Sequence, residues 1–174
     1  MSTTVLAVIG NPRPDSRTHR VARTVASELR RALDLPPTDL DEVDLAPYGP
    51  RVLDYDDTQV AHEVERVLAA DVLVVASPTY KATYSGLLKA FLDRVGTGAL
   101  RGSAVPVLLG GAPTHTLALD AHFTPLLTEL GAATPTRGLF VLESQLEELE
   151  QTAAAWADRW AGWLTPHAAA LPAS

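Results

Sequence analysis

Val72-Leu-Val-Val-Ala-Ser-Pro-Thr-Tyr-Lys-Ala-Thr-Tyr-Ser-Gly-Leu-Leu-Lys-Ala-Phe-Leu-Asp93 opens as an apolar, β-branched run and closes as a helix. Val72 to Ala76 reads as a buried strand. The run breaks at Ser77-Pro78 into a polar loop with two tyrosines, Tyr80 and Tyr84. It restarts at Ser85-Gly86 with Leu87, Leu88, Phe91 and Leu92 on one side of a helix. The loop therefore lies at the carboxyl end of a strand and the amino end of a helix, where α/β folds bind ligands. Its tyrosines offer flat, amphipathic faces to a flat ligand.

The same alternation runs outward in both directions. Strands are expected at Val5 to Ile9, Leu40 to Leu45, Ala104 to Leu109 and Gly138 to Leu142. Helices are expected at Thr18 to Leu33 and at Thr58 to Ala70, the latter with a core stripe of Val60, Val64, Val67 and Leu68. Pro47 to Thr58 reads as an acidic, turn-rich loop entered after the second strand. Leu117 to Leu130 reads as a helix that Pro125 must kink, or that restarts with Thr124 as N-cap. Ser144 and Glu147 have capping-box spacing before a last helix. Its apolar face is Leu146, Leu149, Ala153, Trp156, Trp160 and Trp163, and Pro166 is expected to end it. Pro106 is awkward inside a strand. Alternating strand and helix imply a doubly wound parallel sheet. Five strands in 174 residues suggest a flavodoxin-like order 2-1-3-4-5, in one domain over 1–174 with a frayed tail near 166–174.

Composition narrows the function. A net charge of −7 argues against a broad nucleic-acid-binding face. The absence of cysteine excludes disulfides, cysteine metal sites and thiol catalysis. The amino terminus has no basic region, and Val5 to Ile9 is too short for a signal peptide or a membrane span. A cytoplasmic protein is expected.

Two further loops complete a rim. Gly10-Asn-Pro-Arg-Pro-Asp-Ser-Arg-Thr18 joins the first strand to the first helix. Free N–H groups at the helix start, the hydroxyls of Ser16 and Thr18, and the charges of Arg13 and Arg17 make a seat for one phosphate. Neither a P-loop lysine nor a dinucleotide Gly-x-Gly-x-x-Gly is present. The alternative is that Ser16 is only an N-cap and the arginines are solvated. Leu109-Gly110-Gly-Ala-Pro-Thr-His115 ends the fourth strand. Its glycines let backbone approach a ligand, and Thr114 and His115 add polar contacts. His115 bonded to local backbone is the competing reading. His115, Asp120 and His122 match no metal signature, so no metal is expected.

Together these segments resemble the NADPH-dependent FMN reductase family of the flavodoxin-like superfamily. They are most similar to flavin reductases of two-component alkanesulfonate-type monooxygenase systems. The likeness rests on residues 10–18, 77–93 and 110–115, supported by the helix over 117–130. It implies that Ser16, Arg17 and Thr18 hold the FMN phosphate, with Asn11 and Arg13 nearby. It implies that Pro78, Thr79, Tyr80, Ser85 and Gly86 run along the flavin rings, and that Gly110, Gly111 and His115 line the far edge. Lys81 and Lys89 read as surface cations, with an NADPH phosphate as the alternative partner for Lys81. A tyrosine found near position 121 in some relatives is replaced here by Ala121-His122.

The activity implied is hydride transfer from NADPH, or NADH, to FMN N5, with no protein acid, base or nucleophile in the step. A monooxygenase partner and a homodimer or homotetramer are implied; nucleic acid and membrane are not. The alternatives are a quinone, azo or chromate reductase with tightly held FMN, and a one-electron flavodoxin-like carrier. A phosphoreceiver module would need acidic residues where this chain has Gly10-Asn11 and Ser77-Pro78.

Overall fold

A computed structural model describes residues 3–36 and 39–164. Pro166 and the tail to Ser174 lie outside the described residues. Five parallel strands form one sheet in the order β2-β1-β3-β4-β5. They are β1 (Val5–Ile9), β2 (Asp41–Asp44), β3 (Val72–Pro78), β4 (Ser103–Gly110) and β5 (Leu139–Leu142). The helices are α1 (Arg17–Ala32), α2 (Thr58–Ala69), α3 (Gly86–Leu92), α4 (Thr124–Glu129) and α5 (Leu149–Trp160). The expected flavodoxin-like order is therefore the observed one.

Side-chain alternation along β1 explains the layers. Val5, Ala7 and Ile9 face α1 and α5, joined by Val21, Val25, Leu29, Leu149 and Trp156. Leu6 and Val8 face the other side, with Val60, Leu88, Phe91, Phe123 and Leu127. All residues of β1, β3 and β4 are buried, as expected of strands covered on both faces.

Pro106 sits in β4 without breaking the ladder. Ser103 N–H donates to Asp71 O on the β3 side, and Ala104 N–H donates to Ala133 O on the other. That alternation turns position 106 toward β5, whose pairing begins only at Val107↔Leu139. The missing donor falls in the gap between Ala133 and Leu139.

Several local expectations are corrected. The 47–58 loop contains a 3₁₀ turn, Gly49–Leu53. Leu68 is 37% exposed and is not part of the core stripe of α2. β3 continues through Ser77 and Pro78, because Pro78 pairs with Leu109 and Thr79 N–H donates to Leu109 O. Thr124 is the first residue of α4 and makes no side-chain cap. A π-helical turn over Leu119–Phe123 precedes it, with Thr124 N–H bonded to Leu119 O, and so accommodates Pro125 without ending the helical path. The Ser144/Glu147 capping box does not form. A 3₁₀ segment, Glu143–Glu148, leads into α5, and Trp163 is 64% exposed.

Phe91 is fully buried between α3 and the sheet. Phe91→Ala should cost about 3–5 kcal/mol in urea denaturation, the usual cost of an aromatic cavity. Leu68→Ala on the half-exposed side of α2 should cost under about 1 kcal/mol.

Candidate functional site

The first, middle and third loops follow β1, β3 and β4, so parallel pairing brings all three to one rim. Buried hydrogen bonds then lock them together. Gly10 N–H donates to Ala76 O (2.8 Å), and Ser85 Oγ donates to Gly10 O (2.5 Å). Ser85 N–H donates to Ser77 Oγ (2.8 Å), while Ser85 Oγ accepts from Leu88 N–H as the N-cap of α3. A Cβ on Gly10 would lie 2.6 Å from Leu88 Cβ, so glycine is what lets α3 approach β1.

The first loop is organised around Asn11 and the start of α1. Asn11 is buried, and its side chain accepts from Arg13 N–H (2.9 Å) and donates to Thr18 Oγ1 (3.0 Å). Ser16 is the N-cap: its hydroxyl accepts from His19 N–H (3.1 Å). That leaves the N–H groups of Arg17 and Thr18 without a protein partner among the described residues. Arg17 is not simply solvated, since it pairs with Glu143 at 3.1 Å. Arg13 is exposed beside this turn.

Charge beside the loop comes from the β2 edge. His19 Nε2 lies 3.2 Å from Glu42, which also accepts from Arg23 at 2.6 Å. Burial raises the Asp44 carboxyl, opposed by its bond from Ala46 N–H and by His19, and reinforced by Glu42 and Asp15. A shallow cleft of about 460 Å³ runs along the outside of α1, lined by Ser16, His19, Arg20, Arg23 and neighbours. It shares only Ser16 with the rim residues predicted from sequence, and its lining is largely ion-paired. The rim is the better candidate because three loops converge there.

The middle loop carries stored backbone strain. Tyr80 and Thr83 exchange N–H···O bonds (2.8 and 3.1 Å) across a two-residue hairpin. Both central residues, Lys81 and Ala82, are left-handed at φ 51° and 61°. Glycine or asparagine is the usual occupant of such positions, and no such signal marked this turn in the sequence. Tyr80 is 44% exposed on the hairpin. Tyr84 turns inward, its ring 5.2 Å from that of Phe123.

The third loop closes on the second. A Cβ on Gly110 would meet Phe140 Cζ at 2.7 Å and Thr79 Oγ1 at 3.0 Å, whereas Gly111 and Gly86 face open space. Gly110 is therefore needed for packing. Thr79 Oγ1 and His115 Nδ1, like Thr136 Oγ1 before β5, are buried and have no hydrogen-bond partner among the described residues. Unpaired buried polar atoms are costly, and two of them flanking one rim fit a polar ligand edge. The ring of His115 is thus not satisfied by local backbone. Pro78 and Ser85 are buried in the frame, and Lys81 is exposed at the hairpin tip. Among the described residues, no three His, Asp or Glu side chains cluster as a metal site. No described helix is long and apolar enough to cross a membrane.

The sheet order defines a flavodoxin-like α/β protein, and the three-loop rim lies at its β1/β3 switch point. The chain belongs to the NADPH-dependent FMN reductase family, whose sequence model matches residues 3–147. It is 34% identical over 143 residues to the FMN reductase (NADPH) of Escherichia coli (strain K12), covering 82% of this chain and 74% of that one. It is 31% identical over 160 residues to the NADH-dependent FMN reductase SfnE of Pseudomonas putida, covering 89% and 85%. The apo crystal structure of NADH:FMN oxidoreductase (EMOB) superposes with a TM-score of 0.82 at 28% identity, covering 94% of this chain and 91% of that one.

Two outcomes follow from the geometry. Ala82→Gly should stabilise the protein by about 0.5–1 kcal/mol in denaturant titration, the relief of left-handed strain exceeding glycine's extra chain entropy. Asp44 has a raised folded-state pKa, so its ionised form is disfavoured by folding. Asp44→Asn should therefore raise the melting temperature at pH 7. The gain should shrink as the pH falls through the carboxylate range, where the wild-type group is protonated in both states.

Proposed function

We propose that this chain catalyses NAD(P)H-dependent reduction of FMN at the three-loop rim. One observation carries the reading: the loops of an FMN reductase family member are hydrogen-bonded into a single edge that presents unpaired donors at one end and orphaned polar atoms at the other. In this reading the N–H groups of Arg17 and Thr18, the hydroxyls of Ser16 and Thr18, and Arg13 hold the phosphate. Arg17 exchanges its exposed Glu143 partner for the phosphate, a small cost because surface pairs contribute little. Thr79 Oγ1 and His115 Nδ1 meet the polar edge of the rings, and Tyr80 packs beside them. Gly86 and Gly111 leave room for backbone to approach the ligand.

The bound flavin supplies the hydride acceptor, N5. The chain aligns the two ring systems and excludes water, which is the part proximity contributes to such a transfer. Lys81, at the tip of the strained hairpin, is offered to the phosphate end of the nicotinamide coenzyme. The choice between NADPH and NADH is left to experiment, since the FMN reductases named above include one of each. Delivery of reduced flavin to a monooxygenase, a homodimer or homotetramer, and a cytoplasmic location belong to the same proposal.

NADPH or NADH consumption should depend on both protein and FMN; no turnover above the protein-free control, with FMN bound, rejects the reading. Ser16→Asp should weaken FMN at least about tenfold, through repulsion and loss of a charge-assisted bond, with riboflavin affinity unchanged.

A further inference from the structure

The buried link between Asn11 and Thr18 has a fixed polarity. Arg13 N–H can only donate, so the amide end facing it is Oδ1. Asn11 therefore turns Nδ2 toward Thr18, 3.0 Å away, and Nδ2 can only donate. Thr18 Oγ1 is thus the acceptor in that bond, and its own proton must go elsewhere. Thr18 is 1% exposed, and among the described residues nothing accepts from its hydroxyl. The N–H groups of Arg17 and Thr18, on the same turn, also lack partners.

We propose that Asn11 is a positioning residue that commits the Thr18 hydroxyl to donate outward. The result is a seat made only of donors, which suits a dianionic phosphomonoester and sets the preference for FMN over riboflavin. Asn11 itself acts through Thr18, because both ends of its amide are already engaged, by Arg13 N–H and by Thr18 Oγ1. The inference rests on the FMN reading above. A carboxylate at this position would still accept from Arg13 N–H and keep the loop's shape. It would also draw the Thr18 proton inward and remove one donor from the seat.

The test is a double-mutant cycle of Asn11→Asp and Thr18→Val, titrating FMN and riboflavin, with melting temperatures to confirm folding. Wild type should bind FMN at least about tenfold tighter than riboflavin, as expected of charge-assisted hydrogen bonds. Thr18→Val should cost about tenfold in FMN affinity in the wild-type background and under about twofold in the Asn11→Asp background. Repulsion by the new carboxylate is present on both sides of that comparison and cancels. Equal costs in the two backgrounds overturn the role of Asn11. Wild type with no preference for FMN sinks the phosphate seat itself, a separate failure. If Asn11→Asp does not fold, Thr18→Ser must keep the FMN preference and Thr18→Val must lose it. A Thr18→Val protein that retains the wild-type preference overturns the proposal.

Discussion

Ser85 is the constraint on which the rim depends. Its N–H reaches Ser77 at the end of β3, its hydroxyl reaches Gly10 O at the end of β1, and the same oxygen caps α3 through Leu88. Being 1% exposed, it makes these bonds away from competing water. One residue, through its backbone N–H and its hydroxyl together, thus sets the spacing between two strand ends and starts α3. Gly10 is the matching concession, since any Cβ there would collide with Leu88. With this node in place, the first and middle loops have no freedom to drift apart. Thr79 N–H, bonded to Leu109 O, carries the third loop into the same frame.

The frame is satisfied and the edge is not. Buried hydroxyls behind the rim, Ser77 and Ser85, have their partners. At the edge, Thr79 Oγ1 and His115 Nδ1 have none, and two helix-start N–H groups are open. Left-handed backbone falls partly at the rim, at Asp15, Lys81 and Ala82, and partly beyond α1, at Asp34. Lys81 and Ala82 hold left-handed conformations at the hairpin between the two tyrosines, while the strands beneath are regular. Unpaired groups and backbone strain each cost stability, and their concentration along this edge is what marks it as the candidate site, although Thr136 Oγ1 is also unpaired among the described residues. Charges outside the rim are largely paired between elements, as with Arg20–Glu150 and Arg31–Asp158 joining α1 to α5. The exposed arginines of α1 therefore lend little free positive charge to a net-acidic chain.

Much of the architecture was legible because burial on both faces leaves strands as continuous apolar runs. Val5–Ile9 was read to the residue, and the order 2-1-3-4-5 followed from strict alternation of strand and helix. The expectations that fail rest on local spacing alone. Ser144 and Glu147 had capping-box spacing, but a 3₁₀ segment claims that stretch. At Pro125 the helix does restart, with α4 beginning at Thr124 after a π-helical turn, but Thr124 does not act as its N-cap. Leu68 continues a helical stripe in the sequence, yet it is 37% exposed and lies outside the buried cluster that Val60, Val64 and Val67 join.

The sequence by itself determined the sheet, its layers and the three loops that reach its carboxyl edge, because apolar periodicity and turn residues act locally. It also carried the resemblance to FMN reductases, through residues clustered in those loops. Only the tertiary structure decided the direction of the Asn11–Thr18 bond, the commitment of Ser85 to the frame, and which polar atoms were left unpaired. The Ser85 bond joins segments far apart in the chain, and the Asn11–Thr18 bond depends on how a single loop closes on itself. A hydrogen bond's polarity depends on what lies on its other side, and that is known only once the chain has folded.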